Sequence, residues 1–187
     1  MQQAVFLDRD NTLNYDPGYL ADPAAVQLLP GVVKGLRMLQ ARGLALVLIS
    51  NQAGVGRGYF SAATLATVHA RLVVLLNAHD LQLAGAYYCL HAPWEACDCR
   101  KPAPGMLRRA AHELQLDLAQ SFMVGDKPGD VEAGRRAGCA TVLLGDSASV
   151  SSPFADAVCV DLVATARWII ERIDNGANTP STTHASS

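Results

Sequence analysis

Two carboxylates, Asp8 and Asp10, follow directly on the apolar run AVFL in the stretch AVFLDRDNTLN, residues 4–14. Held about 4 Å apart at an effective dielectric near 20, they would repel by about 4 kcal/mol, so a cation belongs between them. Mg²⁺, a hard ion that takes carboxylate oxygens together with substrate phosphate, is the natural candidate. A turn or helix cap is the competing account of the same residues, since Asp and Asn are common in turns. The most specific pattern lies further along, in YYCLHAPWEACDCRKPAPG, where Cys89, His91, Cys97 and Cys99 form C-x-H-x5-C-x-C. These four side chains make a full tetrahedral set for Zn²⁺ with no open position, which is structural rather than catalytic chemistry. Disulfide pairing competes with that reading, and a cytosolic setting disfavours it. A short loop cannot build its own core, so zinc, worth about 10–16 kcal/mol in small peptides, would order it. Arg100 and Lys101 come directly after the last ligand, where a stapled loop would present them to a phosphate or substrate.

Two further segments carry polar groups at comparable places. Ser50 leads into NQAGVGRGYF, whose glycines at 54, 56 and 58 let the backbone come close to a bound group. The loop lacks the Gly-Lys-Ser/Thr ending of a P-loop, and Tyr59 stands where G-x-G-x-x-G would need its third glycine. In GDKPGDVEAG, Asp126 is placed to complete a carboxylate cluster with Asp8, while Asp130 reads as the N-cap of the helix that follows. Cys139 and Cys159 lie in apolar surroundings and read as core residues. His69, His79 and His112 are grouped with them, on helical segments without ligand partners at useful spacing.

What must position these groups is an alternation of short apolar, β-branched runs with longer segments of helical period, the pattern of an α/β fold with a mainly parallel sheet. Strands are predicted at 4–7, 44–50, 85–89, 121–125, 140–144 and 157–160, and helices at 31–43, 61–80, 104–115, 130–138 and 162–173. Gly43 and Gly138 stand where helix C-caps are expected. Strands that are apolar nearly throughout have both faces covered, which gives a three-layer sandwich with a Rossmann-like sheet. Ligands of open α/β sheets bind outside the carboxyl ends of the strands. The residues there are Asp8, Ser50, the 89–101 loop and Asp126.

Composition narrows the partners. With 187 residues, half of them hydrophobic, the chain suits one domain, expected over 1–175, with the polar stretch 176–187 as a frayed tail. Fifteen Lys+Arg against seventeen Asp+Glu leave no basic stripe for nucleic acid, and a small charged metabolite fits better. MQQAVFLDRD has no signal-peptide pattern and no apolar run is long enough to span a bilayer, so a cytoplasmic protein without membrane partners is expected; a monomer is expected as well.

In order along the chain, D-x-D-x-T, Ser50, Lys101 before a helix and G-D-x-x-x-D resemble the haloacid dehalogenase superfamily of phosphotransferases. Within it, FLDRDNTLN, DPGY, SNQAGVGRGYF, CLHAPWEACDCRKPAPGM and MVGDKPGD resemble the D-glycero-D-manno-heptose 1,7-bisphosphate 7-phosphatases, with the histidinol-phosphate phosphatases as near relatives. The resemblance implies a capless fold with a zinc loop, and an aspartyl-phosphate mechanism. Asp8 would be the nucleophile and Asp10 the acid and then the base. Mg²⁺ would be held by Asp8, the backbone carbonyl of Asp10, and Asp126. Ser50 and Lys101 would hold the phosphoryl oxygens with Asn51 and Lys127 nearby. Asp16, Pro17, Gly18 and Tyr19, then Ser50 to Ala53 including Gln52, and Arg100, would line the sugar-phosphate pocket, and Arg57 would meet an anionic substrate group. The Arg-Gly-aromatic-Phe ending of the glycine loop favours the heptose enzymes over histidinol-phosphate or broader sugar-phosphate hydrolysis. Asn11 stands where these enzymes commonly have Gly; Asn also tolerates unusual backbone angles.

Overall fold

The computed structural model describes residues 1–146 and 148–176. Six parallel strands, β1 (Ala4–Leu7), β2 (Ala45–Asn51), β3 (Gly85–Cys89), β4 (Phe122–Gly125), β5 (Ala140–Leu144) and β6 (Ala157–Cys159), form one sheet in the order β3-β2-β1-β4-β5-β6. The helices are α1 (Val32–Ala41), a single turn α2 (Ala53–Gly56), α3 (Ala62–Asn77), α4 (Gly105–Glu113), α5 (Pro128–Ala137) and α6 (Leu162–Asp174). Each predicted strand and helix is present, with ends shifted by a few residues. The expected tail lies outside the described residues except for Gly176.

The period of two in the strands separates two cores. Val5, Leu7, Leu46, Leu48, Phe122, Val124 and Val142 face α1, α3 and α6, whereas Ala4, Phe6, Val47, Ile49 and Met123 face α4 and α5. Both faces of the central strands are therefore dry, as their unbroken hydrophobicity predicted. Helix ends follow local chemistry. Ser61 caps α3 by accepting from Thr64 N at 3.0 Å, and Asp161 caps α6 by accepting from Ala164 N at 2.7 Å. Gly43 and Gly138 take positive φ just beyond α1 and α5, as expected.

Strand order reverses between β1 and β4, the place where open sheets of this order leave a crevice. Register makes that crevice level: Leu7 pairs with Leu48 on one side and Val124 on the other, and Asn51 with Cys89. Asp8, Ser50, the loop after Cys89, and Asp126 thus emerge at one edge. Among the described residues no helix is long and apolar enough to cross a membrane.

Candidate active site

Asp8 leaves β1 with its backbone N–H still donating to Val124 O at 3.0 Å, so its side chain is fixed by the sheet rather than by a loop. The carbonyl of Arg9 then accepts from the N–H groups of Leu13 and Asn14 at 2.8 and 3.1 Å, closing the turn that follows. Asn11 has φ 56 in this turn, the left-handed conformation that Asn adopts more readily than most residues. Its Oδ1 accepts from Asp16 N at 3.2 Å, and Asp16 Oδ1 in turn accepts from Gly18 N and Leu20 N, each at 3.1 Å.

Lys101, 6% exposed, reaches in from the opposite wall. Its Nζ stands 2.7 Å from Asp8 Oδ1 and 2.6 Å from Asp130 Oδ1, and donates to Ile49 O at 2.8 Å. Burial works against its charge, but Asp130 and Asp8 outweigh it and hold the ammonium above its ordinary pKa. Its backbone is clamped independently: Asn51 Nδ2 donates to Lys101 O and Lys101 N donates to Asn51 Oδ1, both at 3.0 Å. Burial pushes Asp8 up to about 7; Lys101 opposes this, and Asp130 and Asp10 add to it.

Oxygens of Asp8, Asp126 and Asp130 lie within 4.8 Å of one another. One buried ammonium does not balance three carboxylates, and Asp126 Oδ1 is buried without a hydrogen-bond partner. Burial raises the Asp126 pKa as well. A hard divalent cation fits this donor set. Gly125 makes the crowding possible, because a Cβ there would lie 2.4 Å from that of Asp130.

The position of Asp130 corrects the sequence reading. It is not the N-cap of α5; Lys127 is, and Pro128 opens the helix. Asp130 stands one turn in, where Oδ2 accepts from Lys127 N at 3.0 Å and Oδ1 faces Lys101. The Pro in KPGD signalled this start, since Pro favours the first helical position. Sequence reasoning also missed Arg9, which has no exposed surface and pairs with Asp10 at 2.7 Å. Among the described histidines, only His69 turns inward, with Nδ1 2.8 Å from Tyr88 Oη. His79 lies beyond the end of α3, and both it and His112 are exposed.

A cavity of about 330 Å³ opens over these groups. It is lined by Asp8, Asp10, Ser50, Lys101 and Asp130 at its floor, and by Asp16, Gly18, Tyr19, Asn51, Gln52, Ala53, Arg100 and Lys127 around them. Of the pocket residues expected from sequence, Pro17 and Arg57 fall outside the lining. Arg57 lies instead over the Trp94 ring, 5.1 Å from its centroid, and 6.0 Å from that of Tyr59.

The other cluster lies on the loop after β3. Cys89 Sγ is 3.5 Å from His91 Nδ1 and 3.8 Å from Cys97 Sγ, and Cys99 Sγ is 3.3 Å from His91 Nδ1. A tetrahedron around Zn²⁺ with Zn–S bonds of about 2.3 Å has edges of about 3.8 Å, so the donor set fits that ion. All five cysteines are free thiols, against the disulfide alternative. Gly56 lets the glycine loop press on this one, since a Cβ there would meet Ala92 N at 2.3 Å.

The family model described as "HAD-hyrolase-like" matches residues 98–163. The D-glycero-beta-D-manno-heptose-1,7-bisphosphate 7-phosphatase of Salmonella typhi is 42% identical over 148 residues, covering 75% of this chain and 79% of that protein. The protein of the same name from Haemophilus influenzae is 44% identical over 140 residues, covering 72% and 76%. A crystal structure of the D,D-heptose 1,7-bisphosphate phosphatase from B. bronchiseptica, complexed with magnesium and phosphate, superposes with a TM-score of 0.82 at 33% identity, covering 92% of this chain and 99% of that one. The chain therefore belongs to the heptose-1,7-bisphosphate 7-phosphatase family of haloacid dehalogenase-like hydrolases, and is by that membership a phosphoric monoester hydrolase.

Proposed function

We propose that the protein removes the 7-phosphate of D-glycero-β-D-manno-heptose 1,7-bisphosphate through an aspartyl-phosphate intermediate. The observation that carries this is the meeting of Asp8, Lys101 and Asp130 at the floor of a polar cavity, at the carboxyl ends of the paired strands β1 and β4. An Asp8 oxygen attacks phosphorus, and the P–O bond to the sugar breaks with its electron pair passing to the sugar oxygen. Asp10 gives that oxygen a proton, then takes one from the water that hydrolyses the acyl phosphate. Lys101 and the Ser50 hydroxyl hold phosphoryl oxygens, and Asn51 fixes Lys101 through its backbone. Mg²⁺ would be held by Asp8, Asp126 and the Asp10 carbonyl, and would supply neutralisation of the transferring group. Zn²⁺ would be held by Cys89, His91, Cys97 and Cys99 as a structural ion. Arg100, Lys127 and the segment Asp16 to Tyr19 receive the remainder of the sugar phosphate.

The β anomer and the heptose are favoured by relatives at 42% and 44% identity that carry them in their names. The test is phosphate release with Mg²⁺ from both anomers and from histidinol phosphate, compared by kcat/KM. The β-bisphosphate is expected to rank first; a preference for histidinol phosphate overturns the substrate. Asp8→Asn is expected to abolish turnover with the fold retained, and activity near the parent level would remove the covalent mechanism.

A further inference from the structure

The Asp10 carboxylate accepts more hydrogen bonds than that of Asp8 or Asp130. Arg9 Nε donates to its Oδ1 at 2.7 Å and Arg9 Nη2 to its Oδ2 at 3.1 Å, a two-pronged grip from the adjacent residue. Gln52 Nε2 donates to Oδ2 at 2.7 Å, and Asn14 Nδ2 to Oδ1 at 3.3 Å. Gln52 is committed on its other side too: Oε1 accepts from Arg9 Nη2 at 3.1 Å, and Nε2 also reaches Ser50 Oγ at 3.0 Å. The three side chains therefore close a ring of polar contacts beneath the cavity. Arg9 has no exposed surface and Gln52 is 4% exposed, so neither is placed to serve solvent.

We infer that Arg9 and Gln52 are positioning residues for Asp10, and that the Gln52 amide is committed to this ring rather than to the sugar. The inference rests on the reading of Asp10 as the acid. A planar guanidinium bound through two nitrogens fixes the plane of a carboxylate as a single contact cannot. An acid set at the leaving oxygen must be held that closely, because an error of about 1 Å costs about 10²-fold in rate. Gln52 adds an adjustable contact. When Asp10 Oδ2 turns to the leaving oxygen, Gln52 stays placed by its second N–H on Ser50 Oγ and by Arg9 Nη2 on its Oε1, while Arg9 Nε keeps its hold on Asp10 Oδ1.

The test uses full-length protein with Mg²⁺ supplied and two aryl monoesters of similar shape, phenyl phosphate and 4-nitrophenyl phosphate. The nitrophenolate departs without help and the phenolate benefits from a proton. Their kcat/KM values report phosphoryl transfer to Asp8, before water attacks, and contain no sugar contacts. In Asp10→Asn, Arg9→Lys and Gln52→Ala, the ratio of nitrophenyl to phenyl kcat/KM should rise at least about tenfold over the parent, since general acid catalysis contributes about 10²–10⁴-fold. A ratio unchanged in Arg9→Lys and Gln52→Ala, with the rise present in Asp10→Asn, overturns the positioning role alone. No rise in Asp10→Asn removes the acid reading and this inference with it. Gln52→Ala keeps the test decisive if the buried Arg9→Lys fails to fold, and thermal melting identifies that case.

Discussion

Two clusters of metal-binding residue types stand at the same edge of the sheet and are built in opposite ways. The carboxylate cluster grows from strand ends: Asp8 is tied into the sheet by its own backbone, and Asp130 sits inside the first turn of α5. It carries its own counter-charge in Lys101, and Asp8 and Asp130 are buried with it. The Cys/His cluster hangs on a loop with only Cys89 anchored in a strand, and His91 is exposed. Within it the nearest contacts are donor atoms 3.3 to 3.8 Å apart. The first site is preorganised by the fold, so a cation entering it supplies the charge that Lys101 alone does not. The second is tied by short-range loop contacts, Glu95 N to Ala92 O at 3.0 Å and Gly105 N to Asp98 O at 3.1 Å, and a metal would draw its four donors together.

Lys101 is where the comparison is sharpest, because it lies two residues after Cys99 yet belongs to the first site. Removing it should have the largest effect. In Lys101→Met, Asp8 and Asp130 face one another with no cation between them, and an unpaired buried charge costs about 3–5 kcal/mol. The melting temperature should fall in chelator and recover in part with Mg²⁺, because an added cation binds the carboxylates left behind. Turnover should fall about 10²–10³-fold, the usual loss for one electrostatic contact to a transferring group. A variant whose stability does not respond to Mg²⁺ would break the picture of a cluster balanced by cations.

Stripping the second site should act differently. Asn51, Asp8, Asp130 and Ile49 hold Lys101 without help from the Cys/His loop. Arg100 has two contacts back to it, Nη1 donating to His91 O at 3.4 Å and its backbone N–H to the Cys97 sulfur. Cys97→Ser, or a zinc chelator, should therefore raise KM about tenfold through Arg100 and leave kcat within about threefold, one lost ionic contact to a substrate being worth about 1.5–3 kcal/mol at most. Metal analysis should find about one zinc per chain in the parent and less in the variant. A collapse of kcat equal to that of Lys101→Met would show that the two sites are not separately built.

The same contrast decides what could be read from sequence. Strands, helices and the residues that follow each strand were legible because hydrophobic period and chain order specify them locally. The Cys/His set was legible because all four ligands fall within residues 89–99. The closing contacts of the carboxylate site were not, because they join residues far apart: Lys101 to Asp8 and Asp130, Gln52 to Asp10. Arg9 was hidden by a sound generalisation, that charged side chains are rarely fully buried unless paired. Its partner was the adjacent residue, but nothing local showed that both would be enclosed. Asp130 was misread for another reason, a preference for Asp as an N-cap applied without the Pro two residues before it.

The smallest effect tests how far the preorganisation of the first site extends into its loop. Asn11 holds φ 56 on the exposed side of the turn after Asp10, and its Oδ1 accepts from Asp16 N at 3.2 Å. Asn11→Gly relieves a left-handed residue of its Cβ, but it frees the unfolded chain and gives up that hydrogen bond. These opposing terms are each about 0.5–1 kcal/mol, so stability should move by less than about 1 kcal/mol. The hydrogen bond that is lost steadies the Asp16 to Leu20 turn, which carries Gly18 and Tyr19 to the cavity wall. The change should therefore appear as a twofold to threefold rise in KM, about the value of a fraction of one neutral hydrogen bond, with kcat unchanged. A fall in kcat would mean that the turn reaches Asp10, and that the rigid part of the site extends past the strand end into residues 11–16.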